Sequence, residues 1–142
     1  MKTGLEMIYD CFSILDVPEV RDIINGDIYF LERPKNSVLE DIVINALPIT
    51  NDQLQKGVFN VNIHIPNLEN VVINGEADET QPNIVKLMTV NKVVVELLAD
   101  VVGESFHFSA QNGGYPIRDS DLTWYMNIRV DYYAVQPNFT NI

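Results

Sequence analysis

The segment DLTWYMNIRVDYYAV, Asp121 to Val135, alternates between apolar and polar residues along nearly its whole length. Successive side chains of an extended chain point to opposite faces. Leu122, Trp124, Met126, Ile128, Val130, Tyr132 and Ala134 therefore share one face, and Thr123, Tyr125, Asn127, Arg129, Asp131 and Tyr133 share the other. A strand of this length exceeds the common range. Its two unlike faces require a sheet with one buried side, and its place late in the chain predicts that it closes that sheet at an edge.

The rest of the chain supplies partners. From Thr3, the residues Leu5, Ile8, Tyr9, Phe12 and Leu15 recur at helical spacing until Pro18 ends the run, which predicts an N-terminal helix within residues 1–17. PEVRDIING adds a short helical turn broken at Asn25 and Gly26, DIYFLERP reads as a short strand closed by Pro34, and EDIVINAL is a β-branched strand. PITNDQLQKG is then a connection. VFNVNIHI alternates, with Phe59, Val61, Ile63 and Ile65 inward and Asn60, Asn62 and His64 outward, up to Pro66. Residues 67–81 carry Glu69, Glu76, Asp78, Glu79 and Gly75, the composition of an exposed, mobile acidic loop. A second helix is expected from Thr80 as N-cap, with Pro82 near its first position, to Val102, with Gly103 as the stop. Its expected inward row is Ile84, Leu87, Met88, Asn91, Val94, Val95, Leu98 and Val101 or Val102. SFHFSAQ is a strand with Phe106, Phe108 and Ala110 inward, NGGYPIRDS is a loop, and residues 136–142 form a polar tail containing the sequon-like Asn138–Thr140. The order implies a single α+β domain over residues 1–142: a mostly antiparallel sheet with two principal helices packed on one face.

Charge narrows the functions open to such a domain. Twenty acidic residues against nine Lys and Arg give a net charge of −11, whereas a nucleic-acid surface needs clustered cations to displace counterions. Acidity instead suits solubility, a basic partner, or a surface past which a polyanion slides. No run of apolar residues is long enough for a membrane span. The N-terminus has acids inside its apolar region and no small-residue cleavage site, so it reads as cytoplasmic rather than as a signal peptide. Cys11 is the single cysteine and has Ile8, Phe12 and Leu15 at helical spacing, the pattern of an inert core thiol.

Chemistry leaves no signature. The acids sit in loops and at element ends, and no HExxH, paired CxxC, GxSxG, Walker-type loop or GxGxxG occurs. His64 and His107 read as solvated residues on two separate strands. NGGYP lacks the lysine and following helix of a phosphate cradle. We therefore expect no enzyme activity, no metal and no cofactor. A small enzyme built on His64 or His107 and an acid stays as a minor rival. Tyr125 and Tyr133 are different: tyrosines on the polar face of a strand commonly mark a subunit interface.

The element order, carried by IYFLERP, VFNVNIHIPN, the long helix NIVKLMTVNKVVVELLADVV, SFHFSAQNGG and the terminal WYMNIRVDYYAV, resembles the tail terminator or tail completion (head-tail joining) proteins of long-tailed phages. The resemblance covers most of the chain and rests on arrangement rather than on invariant residues. It implies a non-catalytic virion protein, assembled in the host cytoplasm, whose copies form a ring, usually a hexamer, at the head-proximal end of the tail tube. Its partners would be other copies of itself, the tube protein and the neck or connector proteins, with DNA passing through unbound. The candidate ring contacts are Tyr125, Arg129 and Tyr133 on the last strand against an arm carrying Arg33 and Pro34. Glu69, Glu76, Asp78 and Glu79 would face the lumen or a partner. Alternative readings are another neck or tube component, and a monomeric acidic adaptor that uses residues 67–81 to bind a basic partner.

Overall fold

The computed structural model describes residues 1–136. In chain order the elements are helix α1 (Gly4–Leu15), helix α2 (Pro18–Arg21), strands β1 (Ile28–Phe30), β2 (Asp41–Ala46), β3 (Leu54–Ile65), β4 (Val72–Ile73) and β5 (Glu76–Ala77), helix α3 (Ile84–Leu98), and strands β6 (Val101–Val102), β7 (Phe106–Ala110), β8 (Tyr115–Arg118) and β9 (Trp124–Val135). Seven strands form one sheet in the order β1-β2-β3-β9-β7-β6, with β8 also paired to β9. Every pair in it is antiparallel except β1 with β2. The fold is α+β, with a mostly antiparallel sheet, as the sequence predicts.

Helix α1 starts where Thr3 caps it. The Thr3 hydroxyl accepts the Glu6 N–H and the Glu6 carboxylate accepts the Thr3 N–H, both at 3.2 Å, which satisfies two donors that a helix start leaves unpaired. Met7, Ile8, Cys11 and Leu15, at three- and four-residue spacing, are fully buried and share one core with Phe59, Val61, Ile63, Phe108 and the even-numbered residues of β9. Approach to the sheet is close: a Cβ on Gly57 would lie 2.7 Å from Met7 Sδ. Phe59 meets Phe108 edge to face at 5.4 Å. Tyr132, fully buried, donates its hydroxyl to Asp10, which also pairs with Lys2 at 3.2 Å. Burial first, and then this bond, raise the Tyr132 pKa. The Cys11 thiol is likewise pushed well up, chiefly by burial and secondarily by the nearby Asp10 charge, which keeps it in its unreactive form.

Several expectations are corrected. The long strand is not an edge. β9 lies in the middle of the sheet, paired along its whole length to β3 on one side and to β7 and β8 on the other. Its length is what lets one strand serve three neighbours. The connection after β2 is shorter than expected, because LQKG joins β3, and part of NGGYPIRDS pairs as β8. Helix α3 is capped by Asn83, whose side chain accepts the Lys86 N–H at 3.2 Å, and it ends at Leu98. Val101 and Val102 pair with β7 instead of continuing it. Its buried row is Leu87, Val90, Val94 and Leu98, while Ile84 and Met88 are exposed. The valine-rich stretch supported more than one helical phase, and packing against the sheet selected this one. Trp124 is half-buried and packs against the core margin, with the Arg118 guanidinium 5.7 Å from its ring centre. Apart from Gln136, the tail expected at residues 136–142 lies outside the described residues, as does the sequon-like Asn138–Thr140.

Candidate functional site

Both long helices lie on one face of the sheet. The other face, made by the odd-numbered residues of β9 and the even-numbered residues of β3, has no helix against it among the described residues. Three zones follow one another along the strands. At the start of β3 and the end of β9, Leu54, Tyr133 and Val135 join Phe106, His107 and the turn before β7 around an apolar depression of about 610 Å³. Tyr133 also lines the neighbouring hollow with Leu47, Pro48 and Lys56, so it stands as the wall between two recesses. His107 stacks on Tyr133 with ring centres 6.3 Å apart and bonds Asp100 through Nε2 at 2.6 Å.

The middle zone is an asparagine row. Asn127 Nδ2 donates to Asn62 Oδ1 at 2.7 Å and reaches Asn60 Oδ1 at 3.4 Å, which ties β9 to β3 by side chains as well as backbone. Arg129, opposite Asn60, projects beside it, and Lys56 projects opposite Tyr133 at the margin of the first zone, with Asp131 between the two. Both cations are exposed, and neither has an ion pair among the described residues. They stand out in a chain of net charge −11, because the only acids on the strands of this face are Asp131, held by Gln111, and the buried Asp41.

The third zone, at the end of β3, is a closed polar cluster. Asp41 is fully buried and accepts bonds from Ser37 Oγ, from Arg33 Nη1 at 3.4 Å and from the Asp27 N–H at 3.2 Å. His64 lies next to it, stacked on Tyr125 with ring centres 4.9 Å apart. Its buried Nδ1 has no hydrogen-bond partner and sits 3.9 Å from Asp119 Oδ2. Loss of solvation, and then the positive charge of Arg33, push the His64 pKa down to about 4, against a smaller opposing pull from Asp119 and Asp41. His64 is therefore neutral at pH 7. The expectation of a solvated His64 is overturned, because the 31–40 arm folds beside it.

Of the residues singled out from sequence, Tyr125, Arg129 and Tyr133 share the helix-free face, but in different zones. Arg129 is exposed and Tyr133, though stacked on His107, lines two open recesses, whereas Tyr125 lies against His64 in the closed cluster. Arg33 faces inward and pairs with Asp41 of the same chain, while Pro34 beside it is exposed. Residues 67–81 are exposed for the most part but are not simply a loop. Val72–Ile73 pairs with Glu76–Ala77 across Asn74 and Gly75, both with positive φ (54° and 80°), as a two-residue primed turn requires. Glu69, Glu76 and Glu79 are exposed. Asp78 instead works within the hairpin: the Thr80 hydroxyl and N–H both donate to it and hold its carboxyl below the ordinary value.

Leu54, Lys56 and Val135 were missed in the sequence. The alternation LQKGVF already places Leu54 and Lys56 on one face, but Gly57 and the preceding polar run disguised it as a connection. No group of three or more His, Cys, Asp or Glu side chains among the described residues is placed to hold a metal ion. The two histidines stay apart, His64 against Tyr125 and His107 against Tyr133. Among the described residues, no helix is long and apolar enough to cross a membrane. Comparison of the sequence with models of known protein families gives no match, and comparison with curated proteins gives none either.

Proposed function

We propose that this chain is a structural, non-enzymatic protein of a tailed phage or prophage. In this reading its copies form a ring, most simply a hexamer, at the head-proximal end of the tail tube. The ring ends tube growth and joins the tail to the neck. The reading begins from the element order described above and is supported by one observation: a seven-stranded sheet covered by helices on one face, with Tyr133, Arg129 and an apolar depression uncovered on the other. Tyr and Arg are the residue types that most often anchor interfaces. A contact between unlike surfaces of identical subunits must close into a ring or grow without limit. The partners are further copies, the tube protein and the neck or connector proteins. The acidity of the chain suits a lumen through which DNA passes without sticking.

The exposed acidic hairpin favours a second reading, a monomeric adaptor for a basic partner; another neck or tube station is a variant of the first. Light scattering and electron microscopy at high protein concentration, with and without tail tubes, separate them. Rings that Arg129→Glu abolishes without unfolding the subunit support the terminator reading. A strict monomer that never caps tubes removes it and leaves the adaptor.

A further inference from the structure

We infer that the β4–β5 hairpin of one copy docks on the helix-free face of the next with its Ile73–Glu76 side down, Ile73 over the Tyr133 depression and Glu76, with Glu79 farther along the ribbon, toward Lys56 and Arg129. This deepens the ring reading and rests on it.

The hairpin is built to be presented. Its base is fixed, since Asn67 Nδ2 donates to the carbonyls of both Glu79 and Leu122 at 2.9 Å and the Leu68 N–H donates to the Gln81 carbonyl at 2.9 Å. Its tip turns on Asn74 and Gly75. What it displays is unusual for a surface ribbon: Val72 is 66% exposed and Ile73 42%, flanked by exposed glutamates. A two-stranded ribbon has little stability of its own, and β-branched residues at its tip gain only from being covered.

Its own subunit does not cover it. The hairpin follows Ile65 at one end of β3, while the depression lies at Leu54 at the other end. At about 3.3 Å per residue the two are some 35 Å apart. An apolar tip at one end of the sheet and an apolar recess at the other form unlike halves of a head-to-tail contact.

Charge selects the same pairing. Glu69, Glu76 and Glu79 have no ion pair among the described residues, and Lys56 and Arg129 have none either. Two copies of a chain with net charge −11 repel over most of their surfaces. The Lys56 and Arg129 zone is where acids of a second copy are welcome. Glu104 on the far rim of the depression, with Asp100 near it, fixes the orientation by turning the hairpin acids toward Lys56.

A charge swap in the full chain tests this. One variant carries Glu76→Lys and Glu79→Lys, the other Lys56→Glu and Arg129→Glu, each checked for an unchanged circular dichroism spectrum and melting temperature. Association is followed by sedimentation velocity. Each variant alone should associate at least roughly tenfold more weakly than the wild type. An equimolar mixture should recover association, because every hairpin then finds a face of opposite sign and the two variants alternate around a ring of even number. If the hairpin variant associates like the wild type while the face variant does not, another segment occupies the face; the inference then fails and the ring reading stands. If both variants are weak and the mixture stays weak, the two surfaces do not meet, and the inference again fails. A wild type that remains monomeric up to about 1 mM, where even weak contacts populate, and does not cap tubes overturns the ring reading and the inference together.

Discussion

Tyr132 and Tyr133 are adjacent in sequence, yet their surroundings have almost nothing in common. Tyr132 is fully buried, packed among Phe59, Phe106 and Phe108, with its hydroxyl given to Asp10. Tyr133 is half-buried, stacks on His107 and separates two surface recesses. The even-numbered residues of β9 face the helices, and the odd-numbered ones, with Asn127 buried among them, face away from the helices. Because the strand period is two, a one-residue slip would exchange these roles everywhere at once, so register is strongly specified here. Under the proposed ring, stability and assembly would be altered separately on one strand.

The largest effect expected lies on the covered face. Tyr132→Ala leaves a cavity among three phenylalanines and removes one of the two donors to the half-buried Asp10, which keeps Lys2, and should cost roughly 3 to 5 kcal/mol in urea unfolding. A loss below about 1 kcal/mol would mean that the two faces are less different than their burial indicates.

The next effect concerns pH and the polar end of the open face. His64 has a folded pKa of about 4 against an ordinary 6.5. Between those values the unfolded chain binds more protons than the folded one, so stability should fall as pH drops from about 6.5 toward 4. Over that window the loss approaches roughly 3 kcal/mol. The carboxyls with lowered pKa, Asp27, Asp78 and Asp121, add their own losses only at lower pH. Unfolding midpoints measured at several pH values should therefore slope, and His64→Gln should flatten the slope. An equal slope in the variant would assign the effect elsewhere.

How much of this was legible in the sequence follows from the same two faces. The inward sets of β3, β7 and β9 could be read directly, because alternation is a local signal and burial enforces it. The position of β9 could not, since nothing within DLTWYMNIRVDYYAV says how many neighbours it has. Pairing with β8 depends on residues around Pro116, which by themselves look like a loop. Helix α3 was readable as a helix but not in its phase, since Ile84, Met88, Val90 and Val94 offer two apolar rows and only the sheet decides between them. The hairpin was readable and overlooked: Asn-Gly between β-branched and polar residues is a strong short-range hairpin signal, and four acids drew attention from it. Arg33 was misjudged because its partner, Asp41, lies eight residues on and is buried by an arm whose path local sequence does not specify.

Trp124 tests the boundary between the faces. It points to the covered side but sits at the first position of β9, half-buried beneath Arg118. Trp124→Ala should cost roughly 1 to 3 kcal/mol, less than Tyr132→Ala, because partial exposure lets solvent refill the space. A cost equal to that of Tyr132 would place Trp124 in the core proper.

The smallest stability effect expected is at Tyr133, and it separates the two roles most sharply. Its side chain leaves no sealed cavity when shortened, since both recesses it lines open to solvent, and the backbone pairs with Lys56 and His107 stay in place. Tyr133→Ser should therefore change unfolding free energy by only about 0.5 kcal/mol. Removal of the wall between the recesses should nevertheless weaken self-association in sedimentation at matched concentration, because a central aromatic contributes far more to a contact than to its own subunit. A variant that unfolds more easily yet associates normally would reverse the assignment and make the odd-numbered side of β9 part of the fold.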